Sequence, residues 1–366
     1  MKKTITVESV TKGHPDKVCD QIADRILDAY LKEDASSRVA CEVCINKDLV
    51  LIMGEITSKS EVDVESIARK TILDIGYNKD ELGFNGYTVP IKVMLNKQSS
   101  DIALGVDASG AGDQGMMYGY ATDECDNYMP LACNLANNLA KRLDEVRENN
   151  IIKDLRPDGK TQVTLEYNDN NIHIKALVIS ISHEEKKDKE LLKKEIIEEV
   201  IAIVIPKNLM DEETQIFINP TGNFVICGPA GDTGLTGRKI MVDTYGGLAR
   251  HGGGAFSGKD YTKVDRSAAY YARYVAKNIV HKKLAKEALV SVSYAIGVIE
   301  PLQIDIETFN TNLVPIKEIY QFVNDNFDFK TTNIIKELDL KHVKYADTTM
   351  YSHFGKDNLS WEQIID

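Results

Sequence analysis

Short runs of alternating apolar residues come in pairs along this chain, and between the pairs apolar residues recur every fourth position. Val39–Ile45 with Leu49–Ile56, and Gln162–Tyr167 with His173–Ser182, alternate with period two, so each pair reads as a hairpin. Val18, Ile22, Ile26 and Tyr30 are spaced by four, with Cys19, Ala23 and Leu27 beside them, and predict a helix. Pro15 suits its first position, and Asp16 suits its first turn, where the helix dipole favours acid. Further helices are expected over Val64–Ile75, over Leu131–Val146, over 184–199 on the stripe Leu192, Ile196, Val200, and over Ser267–Val280. Single strands are expected at Thr4–Val7, Pro90–Leu95 and Gln215–Ile218. Repetition of strand, strand and helix favours α+β domains over a doubly wound α/β sheet. At 366 residues the chain exceeds one usual core, so two or three domains of about 100–150 residues follow.

A five-residue echo fits such a division. Ala111-Gly-Asp-Gln-Gly115 recurs as Ala230-Gly-Asp-Thr-Gly234, which hints that domains share a plan. The polar, glycine-bearing connection at 99–112 marks the first boundary.

Net charge is −12, which disfavours nucleic acid or an anionic membrane as partner. No apolar run reaches the roughly 20 residues of a membrane span. The opening Met1–Glu8 turns acidic before a signal-peptide core can form, so a cytosolic setting is expected. Six cysteines, at 19, 41, 44, 125, 133 and 227, sit mostly in apolar stretches and read as reduced, buried thiols. Cys41-Glu-Val-Cys44 has metal-ligand spacing, but no second such pair follows and the segment reads as a strand.

Charge is distributed unevenly. Gly228–Lys283 carries ten Lys or Arg against four Asp or Glu, and ten of the chain's 24 glycines. A basic, glycine-rich island in an acidic chain points to a site for a small polyanion. Within it Gly253-Gly-Ala-Phe-Ser-Gly258-Lys259-Asp260 fits the glycines and lysine of a phosphate-binding P-loop, but Asp260 replaces the hydroxyl residue and would set a negative charge facing the phosphates. Arg238 with Lys239, Lys259, and the group Lys263, Asp265 and Arg266 supply three cationic clusters able to surround one triphosphate.

GHPDK at 13–17, GAGDQG at 110–115, GDTGLTGRK at 231–239, DTYGG at 243–247 and HGGGAFSGKD at 251–260 together resemble the S-adenosylmethionine synthetases, from Glu8 to at least Tyr294 and more loosely to Gly355. The resemblance implies three similar α+β domains with approximate threefold symmetry, each a β-sheet with helices on one face. It divides the chain into 1–99, 110–228 and 229–366, with 99–109 as a mobile active-site loop. It implies attack of the methionine sulfur on C5′ of ATP, with the tripolyphosphate cleaved to phosphate and diphosphate before release. A thioether carries no proton, so no general base is needed; charge growing on the leaving phosphates must be stabilised instead.

Carried over by position, the resemblance makes His14, Lys160, Arg238, Lys239 and Lys259 catalytic, with His14 near the bridging oxygen as donor or acid. Asp158, Phe224, Asp232 and Ala255 join them around ATP. Glu55, Gln98, Asp113, Asp232 and Lys263 match methionine positions. Asp16 and Asp265 match magnesium ligands, about two Mg²⁺ per site, and Glu42 matches a K⁺ ligand. A homodimer sharing its active sites is implied, with a dimer of dimers as the larger option, and neither nucleic acid nor membrane as partner. Asn223 stands where relatives often carry a basic residue, and 99–109 is shorter than in many. Two other readings stay open: a phosphoryl-transfer enzyme using the P-loop-like run, and a non-catalytic regulator of an active relative.

Overall fold

The three sheets of the computed structural model, which describes residues 2–97, 110–168 and 171–365, repeat one plan. A leading strand precedes a long helix, then a hairpin, then a second helix, and in two repeats a fourth strand. The first repeat is β1 (Lys2–Val10), α1 (Pro15–Glu33), β2 (Arg38–Ile45), β3 (Val50–Thr57), α2 (Val64–Ile75) and β4 (Ile91–Asn96). The second is β5 (Gly115–Thr122), α3 (Leu131–Glu148), β6 (Leu155–Asn168), β7 (Asn171–His183), α4 (Lys189–Ile196) and β8 (Gln215–Ile218). The third is β9 (Gly234–Leu235), α5 (Val264–His281), β10 (Glu287–Tyr294), β11 (Gln303–Glu307) and α6 (Ile316–Asn326).

The sheets run β1-β6-β7-β8, β5-β10-β11 and β9-β2-β3-β4. In each, the leading strand lies antiparallel to the first hairpin strand, and the fourth strand, where present, lies parallel to the second. No leading strand joins the hairpin of its own repeat. The first repeat lends its strand to the second, the second to the third, and the third to the first. That cycle is the threefold relation, and it explains the five-residue echo: both copies end on the first residue of a lent strand, Gly115 of β5 and Gly234 of β9.

Alternation decides which face each sheet buries. On β2, Val39, Cys41, Val43 and Ile45 turn inward against Cys19, Ile22, Ala23 and Ile26 of α1. Likewise α3 covers β1 and β6, and α5 covers β5 and β10. Cys41 and Cys44, three apart on a strand, point to opposite faces, so the CxxC spacing holds no metal; all six cysteines are free thiols.

Three local expectations shift. The helix expected from 184 begins at Lys189, where Asp188 caps it by accepting the Leu191 N–H at 2.8 Å. It then widens into a π-turn at Ile197–Ile201, which lets both Val200 and Ile201 face the core. The second hairpin begins seven residues early, at Leu155, through a bulge between Leu155 and Gly159 that draws Asp158 and Lys160 onto a strand. Among the described residues no helix is long and apolar enough to cross a membrane. Gln98 and the 99–109 loop lie outside the described residues.

Candidate active site

His14 starts α1. Its extended backbone makes it the N-cap, and its Nδ1 accepts the Asp16 N–H at 3.2 Å. Gly13 before it has to be glycine, since a Cβ there would sit 2.4 Å from Pro157 on β6. The Val10↔Lys160 register of β1 and β6 then sets Lys160 beside the turn. His14 is 2% exposed. Burial, then the positive charges of Lys239 and Lys160, pull its pKa down to about 3 against the opposing pull of Asp16. The ring is therefore neutral, and because Nδ1 accepts a hydrogen bond, the proton sits on Nε2.

Asp16 is equally buried and accepts hydrogen bonds from Lys239 Nζ at 2.5 Å and from the Leu235 N–H at 3.0 Å. Burial would raise its pKa, but the lysine and the amide outweigh burial and hold it below the usual carboxylate value. Arg238, half exposed, reaches to 3.8 Å of the same carboxylate. On β6, Asp158 Oδ2 accepts the Gly228 N–H at 2.8 Å, while its buried Oδ1 has no hydrogen-bond partner among the described residues. Burial lifts the Asp158 pKa to about 6. An acceptor enclosed in this way fits a hydroxyl or amine donor from a ligand. Asp232 is exposed on the neighbouring turn, its N–H bonded to Gly228 O at 3.0 Å. Phe224 stands half-buried next to His183, whose Nε2 accepts its N–H at 3.3 Å.

A second group surrounds the start of α5. Lys259 Nζ donates to Asp265 Oδ2 at 2.7 Å, and Lys263 Nζ to Asp260 at 2.5 Å. Gly254 packs so tightly on Asp265 that a Cβ would fall 2.2 Å from its carboxylate, and the start of β5, close to Asp113, lies in the same neighbourhood. Asp113 itself is exposed and bonds only the Gln114 N–H among the described residues. Ala255 meets the other glycine loop, for a Cβ on Gly237 would lie 2.4 Å from its own. Glu42 and Glu55 project from the outer face of β2 and β3, diagonal to each other in the register.

Asp260 and Arg266 depart from expectation. Asp260 does not face phosphate: it is fully buried and accepts the Val39 N–H at 2.6 Å and the Thr262 N–H at 2.8 Å. Nor is Arg266 a free cation. It is fully buried, bonded to both oxygens of Asp24 at 2.7 and 3.1 Å, and its guanidinium lies 4.2 Å from the ring centre of Tyr345. The sequence reading passed over Asp20, Asp24 and their neighbours Lys17 and Asp243. Lys17 is buried between Asp20, at 3.1 Å, and Asp243. The available signal was Asp16, Asp20, Asp24 and Asp28 at intervals of four, opposite the apolar stripe of α1, a pattern that ordinarily marks a solvated face.

The carboxylates make no cage: among the described residues no three His, Cys, Asp or Glu side chains converge as metal ligands. Single hard carboxylates beside cations suit Mg²⁺, which shares its coordination sphere with substrate phosphates and water. Each of the two candidate magnesium ligands instead holds a lysine, Asp16 with Lys239 and Asp265 with Lys259.

The family comparisons cover the chain in three pieces. Residues 2–100 match the S-adenosylmethionine synthetase N-terminal domain, 108–224 the central domain and 226–363 the C-terminal domain. The S-adenosylmethionine synthase of Finegoldia magna is 52% identical over 98% of this chain and 96% of its own length. Those of Clostridium botulinum and Clostridium tetani are each 50% identical over 100% of this chain and 97% of theirs. With all three domains in order and relatives matched from end to end, the chain belongs to the S-adenosylmethionine synthetase family of enzymes.

Proposed function

We propose that this chain makes S-adenosylmethionine from ATP and L-methionine by displacement at C5′, with the triphosphate as leaving group. The observation that carries the reading is the convergence of His14, Asp16, Asp158, Lys160, Arg238 and Lys239 around the first turn of α1. The sulfur lone pair forms the S–C5′ bond, the C5′–O5′ bond breaks, and its electron pair stays on the triphosphate. No proton moves in this step. The catalytic need is positive charge and hydrogen-bond donors around O5′ and the phosphates, together with alignment of sulfur and carbon.

His14 supplies a donor. With Nδ1 committed to the Asp16 amide, Nε2–H is the group left for the bridging oxygen, and a neutral ring acts as donor and not as acid. Lys160 makes no ion pair among the described residues, so its charge is available at once. Lys239 and Lys259 are held ready on Asp16 and Asp265; a triphosphate would draw the lysines to phosphate oxygens and free each carboxylate. Asp16 and Asp265 would hold Mg²⁺, about two per site, which supplies neutralising charge to the phosphates when bound. Glu42 would bind K⁺. The unpaired Asp158 oxygen fits a ribose hydroxyl or the adenine amine, Phe224 the adenine face, and Ala255 the phosphate loop. Glu55, Gln98, Asp113, Asp232 and Lys263 would receive the methionine zwitterion. Hydrolysis of tripolyphosphate to phosphate and diphosphate at the same cations precedes release.

The candidate catalytic residues form two groups, one around the first turn of α1 and one around the start of α5, an arrangement compatible with a homodimer in which two chains complete each site, with a dimer of dimers as the larger option. The segments 1–99, 110–228 and 229–366 are the proposed domains, and free thiols, buried at Cys19, Cys41, Cys133 and Cys227 and half-buried at Cys44 and Cys125, suit the cytoplasm. The assay is direct: purified protein with ATP, methionine, Mg²⁺ and K⁺ yields S-adenosylmethionine, phosphate and diphosphate together. Methionine-independent release of ADP and phosphate would instead favour the phosphoryl-transfer reading.

A further inference from the structure

Asp16, Asp20, Asp24 and Asp28 follow one face of α1 in steps of about 6 Å. Each receives backbone N–H groups from the third repeat or the segment after it: Leu235 at 3.0 Å, Gly237 at 2.8 Å, Gly258 at 2.9 Å, and Tyr345 with Ala346 at 2.7 and 2.9 Å. The two middle steps share more than the bond. Gly237 and Gly258 both have left-handed backbones, φ +74° and +80°. Each follows a hydroxyl residue, Thr236 or Ser257, and each is followed at once by a cation of the candidate triphosphate site, Arg238 or Lys259. Both loops also dock on β2: the Thr236 N–H donates to Val43 O at 3.0 Å, and the Cys41 N–H donates to Gly258 O at 3.0 Å. Neither glycine leaves room for a side chain, since a Cβ at 237 would lie 2.4 Å from Ala255 and one at 258 would lie 2.0 Å from Cys41 O.

We propose that Asp20 and Asp24 are positioning residues: from successive turns of α1 they hold the amide immediately before a phosphate cation, and so set where Arg238 with Lys239, and Lys259, present their charges. The inference rests on the reading of those cations as triphosphate ligands. These carboxyl-to-amide bonds are sealed from water, and there a hydrogen bond holds more strongly than in solvent. With one lost, the loop keeps its strand contact but loses the fixed point next to the cation, and a long side chain magnifies the error at its tip. Asp24 also carries Arg266, so its removal strands a buried charge. Asp20 is the cleaner probe, because Lys17 keeps Asp243 when Asp20 is gone.

Asp20→Ala, Asp20→Asn and Asp28→Ala, each in the full chain, separate positioning from plain stability. Asp20→Ala is expected to lower kcat for synthesis by about 10- to 100-fold and to speed amide exchange across 234–239. Asp20→Asn keeps a carbonyl oxygen for the Gly237 N–H but turns its NH2 toward Lys17 Nζ, so its melting temperature falls while its kcat stays closer to wild type than that of Asp20→Ala. Asp28→Ala loses two bonds of the same kind on the same helix but holds no cation loop; its melting temperature falls at least as far while kcat stays near wild type. The role is overturned if Asp20→Ala keeps wild-type kcat, or loses it only in step with melting temperature as Asp28→Ala does. Should Asp20→Ala not fold, Asp20→Ser, whose hydroxyl stops short of the glycine amide, carries the same expectation. A wild type that makes no S-adenosylmethionine overturns the proposed function and this role with it. An active wild type beside an unaffected Asp20→Ala overturns the role alone.

Discussion

In the proposed mechanism the two ring nitrogens of His14 have separate tasks: Nδ1 closes the first turn of α1 on the Asp16 amide, and Nε2–H would serve the ligand. Capping and catalysis are therefore separable by substitution. Asparagine caps nearly as well, so His14→Asn should keep its stability within about 1 kcal/mol. It should nevertheless lose about 2–4 kcal/mol of transition-state stabilisation, or 10²–10³ in kcat for synthesis, with hydrolysis of added tripolyphosphate suffering less. Equal loss in both reactions would mean general damage to phosphate binding. Asp16→Asn and Asp265→Asn each remove a hard anionic oxygen and leave a lysine without its carboxylate. Turnover should fall by orders of magnitude at saturating ATP, methionine and Mg²⁺; near-wild-type turnover would sink the metal assignment. Which residues to nominate for the site was legible because the motifs are contiguous in sequence. How they are paired at rest was not: Asp16 lies 223 residues from Lys239, and Lys259 passes over its neighbour Asp260 to rest on Asp265.

Among the elements α1 is the one that most misleads a reader of periodicity. Its apolar stripe is plain, but its opposite, aspartate-bearing face looks solvated and is in fact covered by loops from more than 200 residues away. Packing at that distance leaves no local trace. The Asp24–Arg266 pair at its centre is fully buried, with Thr349 also donating to Asp24 at 2.8 Å. Arg266→Ala should cost about 3–5 kcal/mol, since it strands a buried carboxylate, and urea denaturation reads this directly; a loss below about 1 kcal/mol would mean that water reaches Asp24. Hairpins and helices were legible because alternation and four-residue spacing are local signals. The bulge that draws Asp158 onto β6 and the π-turn after α4 were not, because each inserts extra residues, two in the bulge, that leave no mark in the local pattern.

For the whole molecule the lent strands set the terms. β1, β5 and β9 each complete the sheet of another repeat, so no repeat closes its own. The five-residue echo announced a shared plan, but exchange between repeats could not be read from it, since every pairing partner of a lent strand lies at least 150 residues away. Residues 1–109 expressed alone would lack β9 and leave β1 unpaired, and should show no cooperative thermal transition, whereas the full chain unfolds as one unit. A folded, cooperative fragment would contradict that coupling. The central claim is that these cations serve a triphosphate leaving whole from C5′. The decisive measurement is product stoichiometry from purified protein with ATP, methionine, Mg²⁺ and K⁺. The account predicts S-adenosylmethionine, phosphate and diphosphate in equal amounts with no ADP, and ADP with phosphate appearing without methionine would contradict it.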